Sequence, residues 1–409
     1  MPDVVIHEFS RIKLGKVDGN LRLIEGAIIE PEEGFDRIEV TGDVICRGDL
    51  TILAPLVAHG MRSREGDVSI EGYAKIAGVV RVRDGDLEVG EFLEARRIEV
   101  EGSLSIGKYL ETTYLSVGGK VEVDEYIRAD SISVGGAVVC NGDIISRTIS
   151  VGGSLRCEKV SADTLSVGGT VTIRRGEVGS SISVGGIVSV EKDLKAHMVS
   201  VGGSLKIGHG SKIDSIDVGG TITIEGDAEV GNIDVGGNMK VHGSLKAVSI
   251  DLGGGLEATG DLEVEDLDIG GSCRISGILK GESIDVGGTL EADKVKARSI
   301  TIGGTLITKR GVFSEYMEIG ERGRVKGVIV SEEVHLEEGS RAEDIYAKIV
   351  NLEDRCTARN IYADTVYIQD YCRILGEIKY TNHLSVGKNV IMSREPVKVE
   401  RPIKAPTDP

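Results

Sequence analysis

Five aspartates recur at a fixed interval: Asp217, Asp234, Asp251, Asp268 and Asp285 each follow the last by 17 residues. A column of carboxylates has two chemical uses, holding divalent cations or attracting a basic partner. Left alone, neighbours about 4.8 Å apart repel by very roughly 1 kcal/mol per pair in a water-like dielectric. A solvated acidic face relieved by nearby lysines needs nothing more, and the column is a weak metal candidate because the calcium-binding solenoid signature GGxGxDxUx does not occur. The seven histidines, His7, His59, His197, His209, His242, His335 and His383, fall at different phases of the same interval and do not converge on one metal. Six cysteines stand as singles without a CxxC pair. Cys140 and Cys157 are 17 apart, and Cys356 and Cys372 are 16 apart, so each pair belongs to adjacent repeats. They read as buried reduced thiols in a reducing compartment. No catalytic residue, metal centre or cofactor is assigned.

The elements that would position these residues are written in a repeat. SISVGG, residues 131–136, recurs with variations, and twelve glycine pairs begin at Gly118, Gly135, Gly152, Gly168, Gly185, Gly202, Gly219, Gly236, Gly253, Gly270, Gly287 and Gly303. The spacing is 17 nine times and 16 twice, the mark of stacked repeats. Apolar residues recur three and one before the first glycine (Ile132 and Val134), three and five after it (Val121 and Val123), and near nine and eleven after it (Ile127 and Ala129). Period-two pairs separated by corners are short strands with one face buried. Three strands in 17 residues cannot hide that face alone. The coils must stack, predicting an all-β, three-sided parallel β-solenoid with the glycines along one edge. The glycines are expected to supply corner angles that other residues adopt at a cost.

Two polar columns accompany the glycines. Two residues before the first eleven pairs stand Ser116, Ser133, Ser150, Ser166, Ser183 and Ser200, then the five aspartates. Four before it stand Ser131, Thr148, Thr164, Ser181, Ser215, Asn232, Ser249, Ser283 and Ser299, hydroxyls expected to bond between coils.

Residues 98–393 carry the regular register, with Ile319, Leu336, Leu352, Ile368 and Val386 continuing it after the glycines fade. Residues 21–97 read as irregular coils with Gly-Asp corners and a bulged loop near 55–65, residues 1–20 as an arm or cap, and 394–409 as a proline-rich flexible tail. A net charge of -18 argues against nucleic acid and anionic membranes and favours basic proteins or divalent cations. No transmembrane run or leader is read, so the default location is cytoplasmic.

The density of G-D corners, the VxVxG coils and the stretch IYADTVYIQDYCRILGEIKY resemble bactofilins, polymer-forming cytoskeletal proteins of bacteria and some archaea. The resemblance implies a right-handed triangular β-helix that assembles end to end into filaments without nucleotide. This chain is much longer than a typical single bactofilin core.

The expected function is therefore a self-assembling scaffold rather than an enzyme. A carbohydrate- or acyl-group enzyme on a solenoid, or a monomeric binding rod, are the alternatives. The final coil would place Leu384, Val386, Val390 and Met392 on inward positions with no helix to cover them. An open solenoid end exposes apolar side chains and unpaired strand groups, so these four residues are the expected joint with another copy, unless the tail folds back over them.

Overall fold

The computed structural model describes residues 3–7 and 9–405. The chain divides into two units, Met1–Gly202 and Gly203–Pro409. Among the described residues, every element of regular structure in both units is a strand, and adjoining strands run parallel. Each unit is a three-sided β-solenoid with coils of about 17 residues, as the periodicity predicts.

The three sides can be followed in unit 1. Leu104–Ile106, Val121–Val123 and Val138–Cys140 form one side, with Leu104, Val121 and Val138 opposite one another. The other two sides lie in one bent strand. Tyr109–Val117 pairs with Tyr126–Val134 through Thr112 and Ala129, then through Tyr114 and Ser131, passing over one residue at the bend. Val121, Val123, Ile127, Ala129, Ile132 and Val134 all point inward and are buried. Full burial of a Val or Ile side chain contributes roughly 1.5–3 kcal/mol, and only the coils above and below can provide it. Unit 2 repeats the arrangement, with Met239, Leu256, Cys273 and Leu290 in one inward column and Ile233, Ile250, Leu267, Ile284 and Ile300 in another.

The glycine pairs stack along an edge in each unit, but the expected reason is corrected. None of the pair glycines has a positive φ. What excludes a side chain is the neighbouring coil: a Cβ on Gly152 would lie 2.2 Å from the carbonyl oxygen of Gly135, and one on Gly271 would lie 2.3 Å from that of Gly254. The corner brings backbone against backbone. Past Gly303 a different corner takes over, a turn whose third residue is left-handed: Arg322, Gly339, Arg355, Tyr371 and Asn389 have φ between 57 and 73°. Four of these five are not glycine, a conformation that is uncommon for residues with a side chain.

Side-chain bonds to the backbone of the next coil run down the Gly-Asp corners, and among the described residues the column from Ser131 to Ser299 makes none between its members. Asp49, Asp67 and Asp86 each accept the backbone N–H of a residue one coil on, Asp67 at 3.0 Å, Asp86 at 2.8 Å and Ser103 at 2.7 Å. In unit 2, Asp227 and Asp261 accept from Ser244 and Ile278 in the same way. This is the physical content of the Gly-Asp corners. Hydroxyls at strand spacing, about 4.8 Å, bond directly only where the side chains tilt toward each other, as Ser314 donates to Ser331 at 3.0 Å.

Three expectations about the chain's margins change. Within the supposed arm at 1–20, Val4–Ile6, Ser10–Leu14 and Lys16–Val17 pair in parallel with Leu21–Leu23, Ala27–Pro31 and Ile38–Arg47. They already build a coil, because Val4, Ile6 and Ile12 alternate like later strands. The bulge expected near 55–65 is instead the strand Leu56–Arg64, held by buried Leu56, Ala58 and Met61. The longer excursion between strands is at 32–37. The tail is also placed. Val397–Lys398 pairs with Lys379 and Tyr380, Arg394 lies 3.7 Å from Glu377, and Pro402, Ile403 and Ala405 line a groove with Tyr346 and Tyr362. Val399 adds a backbone hydrogen bond to Tyr380 and Ile403 an apolar side chain in the groove, neither of which composition announces. Residues 406–409 lie outside the described residues.

Candidate functional site

Two features could carry function, and the first is the acidic column. Asp217, Asp234, Asp251, Asp268 and Asp285 sit directly opposite one another on successive strands, alternating with buried residues such as Ile233 and Val235, and all five are exposed. None is in an ion pair among the described residues. Neighbouring columns of the same unit behave otherwise. Lys212, Glu229, Lys246, Glu263 and Lys280 alternate in sign, with Lys212 3.8 Å from Glu229 and Lys246 3.5 Å from Glu263. The carboxyl of Asp285 is held above its usual range by partial burial, then by Asp268 and Glu318.

The aspartates point the same way from parallel strands, so they form a row and do not close around a point. Among the described residues, no group of three or more His, Cys, Asp or Glu could hold a metal ion. His335 approaches Glu353 at 3.2 Å, and His383 packs at a tilt on Tyr367, 5.6 Å between rings, each as an isolated contact.

The second feature is the last coil of unit 2. Leu384 and Val386 lie under Val366 and Ile368, and Met392 under Ile374, so all three occupy inward columns. Val390 follows Cys372, since Ile391 N–H donates to the Cys372 carbonyl at 2.9 Å. Yet none of the four is buried, and Val386 is 40% exposed. The tail pairs with this coil at Lys379 and Tyr380, where Val399 N–H donates to the Tyr380 carbonyl at 2.8 Å. That covers one side of three. The strand carrying Leu384 and Val386 and the pair Ile391–Met392 keep an open edge.

The first coil of unit 1 is similar: Val4 is 38% exposed and Ile6 half-buried, while Leu21 and Leu23, opposite them on the next coil, are buried.

An aromatic column in unit 1 was not read from the sequence. Tyr73, Phe92, Tyr109 and Tyr126 stack face to face with centroids 4.7–4.9 Å apart. Tyr109 and Tyr126 donate their hydroxyls to Glu94 and Glu111, and burial followed by that carboxylate pushes Tyr109 up to about 12. Four aromatics sharing one phase, in a chain that is 3% aromatic, were the available signal. Their faces are turned on each other, so the column holds coils together and presents no platform to a ligand.

No family model, curated protein or solved structure matches this chain. Among the described residues, no helix is long and apolar enough to cross a membrane.

Proposed function

We propose that this protein is a structural, self-assembling scaffold whose copies join end to end, the open C-terminal coil of one docking on the open N-terminal coil of the next without nucleotide. The observation that carries this reading is the exposure of inward residues at the C-terminal coil, Val386 above all, where the corresponding Val366 and Ile368 one coil earlier are buried. Parallel coils offer another copy the surface they offer one another: an apolar face and a row of unpaired N–H and C=O groups. The likeness to bactofilins in the G-D and VxVxG coils belongs to the same proposal, as do assembly into filaments and a cytoplasmic location.

The tail covers one side of the terminal coil, so assembly must accommodate or displace it. The test is negative-stain microscopy with sedimentation of the full chain, beside a V386R/V390R variant. The parent should form filaments, and the variant should remain folded by circular dichroism as short, soluble species. A parent that stays monomeric at high concentration would overturn the end joint.

A further inference from the structure

Ser340, Cys356 and Cys372 form one column at the corner used by the last coils of unit 2. Thr357 and Arg373, the residues that follow the two cysteines, are directly opposed, and Arg373 N–H donates to the Cys356 carbonyl at 2.8 Å. Cysteines on in-register neighbouring strands are about 4.8 Å apart, inside the span of roughly 4.4–6.8 Å between Cα atoms that a disulfide bridges. Both thiols are free and buried.

Both thiols lie against a backbone carbonyl oxygen, and only Cys356 also has a hydroxyl beside it. Ser340 Oγ lies 3.4 Å from Cys356 Sγ, where its hydroxyl can donate to a thiolate. Cys356 Sγ lies 3.0 Å from the carbonyl oxygen of Glu337 and Cys372 Sγ 2.9 Å from that of Glu353, acceptors that favour the S–H form of each, so the Ser340 hydroxyl is what sets the two thiols apart.

We propose that Cys356 and Cys372 form a redox dithiol, which a small hydroperoxide converts to a disulfide stapling two adjacent coils beside the C-terminal coil. The Cys356 thiolate attacks the terminal peroxide oxygen, the O–O bond breaks, and the alkoxide leaves with a proton as an alcohol. Cys372 then attacks the sulfur of the resulting sulfenic acid, the S–S bond forms, and hydroxide takes the thiol proton and leaves as water. Two thiols and one hydroperoxide give one disulfide, one alcohol and one water. The corner is one residue thick: Glu338, Arg355 and Tyr371 beside the column are exposed, which gives a small oxidant a short approach.

The electrostatics agree with this division of roles. Cys356 is held below the usual thiol range by the Cys372 thiol, against its own burial, with help from the Ser340 hydroxyl and the N–H groups of Ser340 and Gly339. Cys372 is pushed up by Cys356 and by burial. Cys140 and Cys157, also on neighbouring coils, provide an internal control without a hydroxyl beside either thiol. There burial alone dominates, pushing Cys140 up to about 11 and Cys157 higher still.

The experiment treats the full-length reduced protein with limiting hydrogen peroxide and maps disulfides by mass spectrometry of unreduced peptides. A Cys356–Cys372 link, with loss of two hydrogens, should form roughly tenfold faster than a Cys140–Cys157 link, because the thiolate is the reacting species. S340A should slow it and raise the pH midpoint for alkylation of Cys356 while leaving Cys140 unchanged. C372S should leave a sulfenic acid on Cys356 that dimedone traps. Absence of the Cys356–Cys372 link, equal rates for the two pairs, or an alkylation midpoint for Cys356 no lower than that of Cys140 would each overturn the proposal.

Discussion

The same outward position of the coil holds serine in one unit and aspartate in the other. In unit 1 it is Ser116, Ser133, Ser150, Ser166, Ser183 and Ser200; in unit 2 it is Asp217, Asp234, Asp251, Asp268 and Asp285. The backbone beneath is alike: Ser133 opposes Ser150 as Asp234 opposes Asp251, each flanked by buried Ile and Val or Leu. The coil is thus set by its inward columns and its glycine edge, and charge at this position is independent of the fold. Unit 2 even shows the alternative, since the Lys212 to Glu263 column alternates in sign and forms ion pairs. Uninterrupted aspartate is a repulsion that folding does not require.

If the two units share one corner and differ only in what decorates it, the largest effect should be the same in both. Gly152→Ala in unit 1 and Gly271→Ala in unit 2 should each lower stability by roughly 1–3 kcal/mol, since each Cβ meets a carbonyl oxygen of the coil before. Thermal unfolding of the two variants checks this, and a large cost in one unit only would break the comparison.

A smaller effect separates the units. Replacing Asp234, Asp251 and Asp268 by Ser should raise stability at neutral pH by about 1–2 kcal/mol, because salt and solvent screen the four like-charge neighbour contacts to less than half of their unscreened strength. The pH dependence follows from Asp285, whose folded-state pKa is raised by burial, Asp268 and Glu318. A raised carboxylate binds its proton more tightly folded than unfolded. Its penalty therefore appears as pH rises through the carboxylate range and is absent below it, so the variant's advantage should vanish on acidification. A calcium- or magnesium-dependent rise in melting temperature, present in the parent and lost in the variant, would instead make the column a cation site.

The smallest effect concerns the late corners. Tyr371→Asn should stabilise unit 2 by about 0.5 kcal/mol, because the side chain is exposed and asparagine tolerates a φ of 62° better than tyrosine. An unchanged denaturation midpoint would mean that the corner geometry relaxes without cost.

Most of the fold was legible because a solenoid writes its contacts into its spacing. Residues one coil apart are strand neighbours, so Val121 and Val138, or Asp217 and Asp234, could be paired by counting. The candidate joint was legible for the same reason: Leu384, Val386 and Met392 continue inward columns. The tail was not, since its placement depends on a few contacts, Val399 to Tyr380 and Ile403 in the groove beside Tyr362, that have no period.

The sequence by itself determined the strand alternation, the coil length, the inward columns and the neighbours along each face, because all of these are set by period two within strands and about 17 between them. Only the tertiary structure decided what those neighbours do. It shows that in each glycine pair at least one added Cβ would come within 2.5 Å of a carbonyl oxygen of the preceding coil, with no special φ, and that the later corners accept left-handed Arg355 and Tyr371. It also sets Cys356 beside Ser340 while Cys372 faces the Glu353 carbonyl. Those differences lie in ångströms across the stack, and a repeat length counted along the chain does not contain them.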